Sequence, residues 1–164
     1  CLFGLQRHCY QRLAVLTYSI KILEGKSRMT QLTENFKLKE LIATNTGFDN
    51  TPPNHIVDNL YTLAQALEKV RTACGNNPIR VLSGYRSPDV NSAVKGSKTS
   101  AHMKGLAADF TVGTMSIKDV FYTLRKSGIV YDQLILEPSW IHIGLAATPR
   151  KQNLIYDGGN YVPV

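Results

Sequence analysis

The feature that most constrains the fold is an aspartate placed inside an apolar run. Asp109 lies in the segment 106–112, between Ala108 and Phe110. A short apolar run predicts a largely buried strand, and a carboxylate in such a strand loses its hydration. A cation, several hydrogen bonds or a metal ion compensates that loss. The fold must therefore bring a partner to Asp109. Considered without the other candidate residues, Asp109 is more simply a salt-bridge partner or a cap.

The surrounding segments predict a mixture of helices and short strands. Apolar residues recur at helical spacing after Pro53 and stop before Gly75, which predicts a long amphipathic helix. Ser116 and Asp119 form a capping signal for a second helix over residues 117–126. Strands are predicted at residues 79–83, 106–112, 133–137 and 140–145. Because strands and helices do not alternate regularly, we expect an α+β fold with a short, mainly antiparallel sheet packed with helices.

Composition indicates an ordinary globular domain. Of the 164 residues, 43% are hydrophobic and 19% charged, and a chain of this size buries about two thirds of its unfolded surface without a metal or disulfide. No apolar run reaches the roughly 18 residues that cross a bilayer, so no membrane insertion is expected. The three cysteines are odd in number and lack CxxC spacing, which supports neither a disulfide scaffold nor a thiolate zinc site.

The net charge of +7 is concentrated at the amino-terminal end. Residues 1–28 hold five Lys or Arg against Glu24, a net charge of +4, which leaves +3 for residues 29–164. The charges in that remainder are scattered and form no basic run with interleaved aromatic residues. No nucleic-acid partner is therefore expected.

The first 28 residues are set apart from the rest of the chain. Their short apolar patch at 13–16 is followed by no small-residue cleavage site, which makes a poor secretory signal. Met29 opens an ordinary domain start. We predict that residues 1–28 are an extension outside the domain, derived from upstream sequence or a fusion, and that the domain spans 29–164. A lipidated Cys1 is the alternative.

Two histidines can join Asp109 in a metal site. His102 follows a loop rich in Gly, Ser and Thr, and His142 shares a predicted strand with Ile141 and Ile143 but points to the opposite face. Either histidine alone is more simply a hydrogen-bonded side chain. Two imidazoles and one carboxylate together form a common catalytic zinc set. No HExxH helix is present in the sequence, which excludes a thermolysin-like site.

Further candidates flank these ligands. Glu137 lies five residues before His142, beyond a predicted turn, and can take a proton from the attacking water. Arg86 lies on the turn after the strand at 79–83. Its fork of donors suits a substrate carboxylate or a developing oxyanion, and equally a role in bracing the loop. Asp132 is a weaker alternative for the base.

Three segments in this order resemble the motif series of the zinc DD-peptidase family: SGYRSPDVN, SAHMKGLAADF and EPSWIHIGL. That family includes D-alanyl-D-alanine carboxypeptidases, VanX-type dipeptidases and phage endolysin L-alanyl-D-glutamate peptidases. The resemblance covers about residues 29–156, and LTENFKLKEL with DNTPP is similar to the phage and prophage variant. It implies the Hedgehog/DD-peptidase α+β fold.

The resemblance also implies a role for each matching residue. The implied ligands of one zinc ion are His102, Asp109 and His142. Glu137 matches the general base that later donates the proton, and Arg86 matches a residue that holds substrate or the oxyanion. Ser100 and Trp140 match positions beside the first and last ligands, where they either contact substrate or serve to order the loop and pack in the core.

The chain departs from the better-known members of the family around the last ligand. Several of them carry two histidines around the tryptophan and place the catalytic glutamate three residues before that ligand. Here Ile141 fills the intermediate position and Glu137 lies five residues before His142, an arrangement that resembles the phage-type variant. His8 and His55 match no motif position, and we expect them at the surface or at the start of a helix.

The implied function is zinc-dependent hydrolysis of a bond in bacterial peptidoglycan stem peptides, as a D-Ala-D-Ala carboxypeptidase or an L-Ala-D-Glu endopeptidase. We expect a monomeric phage or prophage cell-wall hydrolase that acts in the periplasm or cell wall, made in the host cytoplasm or carried on a phage particle. One alternative is a zinc-binding virion or cell-wall-binding module of the same fold without turnover. Another is a peptidase with a different substrate.

Overall fold

The computed structural model describes residues 30–164 of the chain. The predicted extension at residues 1–28, with its candidate lipidated Cys1 and with His8, lies outside the described residues, so the domain boundary stays a prediction. Within residues 30–164 no helix combines the length and apolarity that crossing a bilayer requires.

The helices of the described part are α1 (Leu38–Leu41), α2 (Asn54–Ala73), α3 (Pro88–Ala93) and α4 (Ile117–Lys126), with a 3-10 helix at Ala101–Lys104. The strands are β1 (Ile79–Ser83), β2 (Ala107–Val112), β3 (Gln133–Leu136), β4 (Ile141–Gly144), β5 (Gln152–Asp157) and β6 (Asn160–Pro163). Both predicted helices and all four predicted strands are present, with strand ends that differ by at most one residue. The sequence did not predict β5, β6 and the short helices.

The strands form one sheet in the order β1-β2-β4-β3-β5-β6. Every neighbouring pair is antiparallel except β3 and β5, which run parallel. Helices α2 and α4 pack against the sheet, and Ala108, Phe110 and Val112 of β2 contribute to the buried core they share. The expected α+β fold with a mainly antiparallel sheet is thus confirmed.

The sequence signals at the helix ends act as predicted. At the end of α2, Gly75 has a φ of +70°, and its N–H donates to the Thr72 carbonyl while the Asn76 N–H donates to Arg71. This pair of bonds is the Schellman arrangement, in which glycine adopts the left-handed conformation without strain. At the start of α4, the Ser116 hydroxyl accepts the Asp119 N–H at 3.1 Å.

Glu68 of α2 fastens the first described loop to the helix layer. Its carboxylate accepts hydrogen bonds from the Thr33 hydroxyl and from the backbone and side-chain nitrogens of Asn35, at 2.7–2.8 Å. Burial raises the pKa of Glu68, but these hydrogen bonds outweigh it and hold the pKa below the usual value. The ionised carboxylate is therefore the form that stabilises the fold.

We expect Glu68→Ala to lower the free energy of unfolding by about 1–2 kcal/mol at neutral pH, because three hydrogen bonds to a charged group are lost. The folded pKa is depressed, so this contribution is present above the ordinary glutamate pKa of about 4.3 and is lost as the pH falls through the folded pKa. Urea denaturation at pH 7 and pH 3 measures both effects. Glu34→Ala in the same loop is the control, and an equal loss in the two variants contradicts the assignment.

Candidate active site

Asp109 and His142 lie directly opposite each other on β2 and β4. Their Cα atoms are register partners in this antiparallel pair, and such partners project from the same face of a sheet. Successive residues of a strand alternate between faces, so Ala108 and Phe110 point into the helix-covered core while Asp109 points to the other face. The alternation of side chains along β2 therefore buries Ala108 and Phe110 and also directs the Asp109 carboxylate toward the His142 imidazole.

His102 reaches this face from the 3-10 helix. The Ser100 hydroxyl caps that helix by accepting the His102 backbone N–H at 3.3 Å. Nδ1 of the His102 ring lies 2.7 Å from the Gly84 carbonyl oxygen. A carbonyl oxygen only accepts, so Nδ1 carries the hydrogen, and Nε2 of the neutral ring bears a lone pair.

Three ligand-type atoms converge on the face opposite the helices. Nε2 of His102 and Nδ1 of His142 lie 3.3 Å apart, and Oδ1 of Asp109 lies 3.3 Å from the first and 2.8 Å from the second. The three residues can hold one metal ion, and a set of two imidazole nitrogens and one carboxylate oxygen suits zinc. The fold thus brings together the three ligands expected from the sequence.

The second oxygen of Asp109 is bound by Arg86. Nη2 of Arg86 donates to Oδ2 at 2.5 Å, and Nε donates to the Ser83 hydroxyl at 2.8 Å. Burial raises the pKa of Asp109, but the interactions of its carboxylate with the two neighbouring imidazoles outweigh that effect and hold the pKa well below its usual range. Asp109 is therefore ionised at neutral pH, as a metal ligand must be.

Burial keeps His102 in its neutral form. The side chain is 3% exposed, and burial lowers its pKa, although the nearby Asp109 carboxylate opposes the shift. A neutral imidazole can offer its lone pair to a metal, whereas a protonated ring cannot.

All seven site residues expected from the sequence border one open cleft of about 1180 Å³. Glu137, Ser100 and Trp140 line it together with the three candidate ligands and Arg86. Glu137 follows β3, and its N–H donates to the Trp140 carbonyl at 3.1 Å, which closes the predicted turn. Burial raises the pKa of Glu137, and the Tyr161 hydroxyl, which donates to Oε1 at 3.2 Å, partly offsets that rise.

Asp132, the alternative base, also borders the cleft but is held by Arg150. The guanidinium binds both carboxylate oxygens at 2.6–3.2 Å, and these bonds lower the pKa of Asp132. A carboxylate stabilised in this way accepts a proton less readily than Glu137. His55, which matched no motif, is exposed in the first turn of α2, as expected.

Comparison with known proteins places the chain in a family. Residues 33–144 match the family model of peptidase M15. The chain belongs to the peptidase M15 family. One similar protein, the zinc D-Ala-D-Ala carboxypeptidase of Streptomyces albus G, is 39% identical over 62 residues, which are 38% of this chain and 24% of that protein. The alignment thus spans about a quarter of that relative, and the two matches confirm the resemblance to zinc DD-peptidases.

Asn50 is a buried residue of this M15 chain whose role the sequence did not reveal. Its Nδ2 donates to the carbonyls of Ile42 and Tyr85, both at 2.8 Å, and its Oδ1 accepts the Ser87 N–H at 2.7 Å. Two of these bonds are made by Tyr85 and Ser87, the residues on either side of Arg86. They therefore fix the turn that carries the Arg86 guanidinium to Asp109. The only local signal was its place in DNTPP, where a buried asparagine looks the same as a turn residue.

Gly84 allows the backbone of the same turn to pass close to α1. A Cβ at Gly84 would collide with the Leu41 carbonyl, to which the next N–H, that of Tyr85, donates at 2.7 Å. Glycine is therefore required where the backbone passes this close. The Gly84 carbonyl is also the acceptor that sets the tautomer of His102.

We expect Asn50→Ala to lower the free energy of unfolding by about 2–4 kcal/mol, because it leaves two carbonyls and one N–H without their partner. Denaturation in urea measures the loss. Asn59→Ala is the matched control, since Asn59 makes one bond, to the Lys104 carbonyl at 2.9 Å, near the surface. Equal losses in the two variants would show that Asn50 does not organise the turn.

Proposed function

We propose that this chain is a zinc-dependent peptidase that hydrolyses a peptide bond in the stem peptides of bacterial peptidoglycan. The observation that carries the proposal is the convergence of three ligand atoms in a cleft that Glu137 also lines. Membership of the peptidase M15 family supports peptide-bond hydrolysis. The name of the Streptomyces relative supports a D-Ala-D-Ala substrate class.

The donor set fits one zinc ion, which Nε2 of His102, Oδ1 of Asp109 and Nδ1 of His142 would hold. Zinc with three protein ligands lowers the pKa of its water to about 7 and polarises a carbonyl. Arg86 and the Gly84 carbonyl orient two of these residues, the first through Oδ2 of Asp109 and the second through Nδ1 of His102. Such outer partners set the orientation and basicity of the ligands.

Glu137 serves as the base in this proposal. Its carboxylate takes a proton from the attacking water and then gives that proton to the leaving amine. A pKa raised by burial suits both tasks, because the group can then gain and lose a proton more easily near neutral pH. Glu137 lines the same cleft as Asp109 and His142, which supports this role.

The remaining residues bind substrate. Arg86 supports Asp109 and borders the cleft, from where its guanidinium supplies charge to a substrate carboxylate or to the developing oxyanion. Ser100 caps the helix that carries His102 and lines the cleft. Trp140 forms part of the cleft wall beside β4.

The bond cut is either the terminal D-Ala-D-Ala bond or the L-Ala-D-Glu bond near the start of the stem peptide. We propose a phage or prophage enzyme, and the similarity of the opening segments to the phage variant supports that origin. We further propose that it acts as a monomer in the periplasm or cell wall. A binding module of the same fold lacks turnover, and the experiments below separate the two.

Zinc binding is the first test. We expect the chain to bind one zinc ion, and we expect His142→Ala to weaken the affinity by at least about tenfold, because one of three protein ligands is removed. Competition titration with a chromophoric chelator measures the affinity. His55→Ala, an exposed histidine outside the cleft, should bind like the parent chain, and equal weakening in both variants rejects the assigned site.

Turnover is the second test. We expect the zinc-loaded chain to release products from purified peptidoglycan fragments, and we expect Glu137→Gln to keep zinc while losing about 100-fold or more in kcat, as the loss of a general base does. Mass spectrometry of the fragments identifies the bond: loss of one alanine indicates a carboxypeptidase, and release of a peptide starting at D-Glu indicates an endopeptidase.

Chelation and zinc restoration provide the control for this assay. A folded sample that contains zinc but yields no chelator-sensitive product rejects cell-wall hydrolysis and favours the binding module. Activity that persists in Glu137→Gln at the parent rate would leave the hydrolysis in place and reject Glu137 as the base.

A further inference from the structure

Tyr161 lies in β6, outside the segment that matches the family model. Its hydroxyl donates to Oε1 of Glu137 at 3.2 Å, although 24 residues separate the two in the chain. Tyr161 also borders the cleft. Neither the motif series nor the family match assigns this residue a role.

Strand register places Tyr161 on the same face as the site. Ile135 of β3 is the register partner of His142 on one side and of Leu154 on the other, so all three project from the face opposite the helices. Glu137 lies two residues after Ile135 and Tyr156 two residues after Leu154, which keeps both on that face.

Pairing of β5 with β6 places Tyr161 on this face as well. Tyr161 is the register partner of Tyr156, and the two rings pack with centroids 5.4 Å apart. The hairpin therefore delivers the hydroxyl to Glu137 through ordinary pairing along the sheet. The Tyr161 side chain is itself exposed, at 51%, so its hydroxyl has no structural function in the core.

We propose that Tyr161 is a positioning residue for Glu137, one that holds the carboxylate in the cleft by donating a hydrogen bond to Oε1. The inference rests on the proposed peptidase function. The Glu137 backbone is fixed by its bond to the Trp140 carbonyl, but that bond leaves the side chain free to turn away from the cleft. A donor on Oε1 restricts that rotation and leaves the second oxygen for proton transfer.

The test compares Tyr161→Phe with Tyr156→Phe in the zinc-loaded chain. Tyr161→Phe removes the hydrogen bond and keeps the ring, and loss of one such bond should lower kcat about threefold to tenfold. We expect KM, zinc content and thermal midpoint to stay at the parent values. Tyr156→Phe alters the neighbouring ring of the same hairpin without touching Glu137, so its kinetic constants should equal those of the parent chain.

A pH profile supplies a second measurement that a purely structural role would not change. The Tyr161 hydrogen bond stabilises the ionised carboxylate, and the substitution does not alter the other charged neighbours, Asp109 and His142. Loss of the bond should therefore move the acidic limb of kcat/KM to higher pH in Tyr161→Phe, and Tyr156→Phe should leave it in place.

The outcomes separate this inference from the proposed function. A parent chain that is active, with Tyr161→Phe at the same rate, overturns the inference and leaves the peptidase function standing. Equal slowing in both tyrosine variants also overturns it, because the effect then comes from hairpin packing. A zinc-loaded parent chain without turnover rejects the function and this inference together, whereas slowing confined to Tyr161→Phe with unchanged KM supports it.

Discussion

The site depends on the buried carboxylate of Asp109. A charge in a strand of this kind is costly unless each oxygen finds a partner, and here the two oxygens are divided between two tasks. Oδ2 accepts from Arg86, while Oδ1 faces Nε2 of His102 and Nδ1 of His142. The arginine stabilises the charge from one side, so the other side is available to a metal ion.

Because the two oxygens of Asp109 need different partners, turns and helix caps around the site must position those partners. Arg86 must reach Asp109 from outside the sheet, and Asn50 and Gly84 shape the turn that carries it. His102 must present the lone pair of Nε2 to the site. The Gly84 carbonyl ensures this by accepting a hydrogen bond from Nδ1–H. One short segment of backbone thus positions both Arg86, the charged partner of Asp109, and the candidate ligand His102.

Sequence reasoning succeeded where local periodicity carries the signal. The apolar stripes of α2 and α4, with their caps, predicted both helices, and the alternation around His142 placed it correctly on the face away from the core. It missed the 3-10 helix that carries His102, because a single turn is held by its cap and tertiary contacts rather than by propensity. It also missed β5 and β6, although Gly158 and Gly159 between them are a hairpin signal.

The sequence by itself determined the chemical types available to the site and the faces of the helices and strands that carry them, because both follow from residue identity and local periodicity. Only the tertiary structure decided the pairings. It joined Arg86 to Asp109, Arg150 to Asp132 and Tyr161 to Glu137. Such pairs form when strand register and turns bring together residues far apart in the chain, and no local pattern encodes which partner each carboxylate will meet.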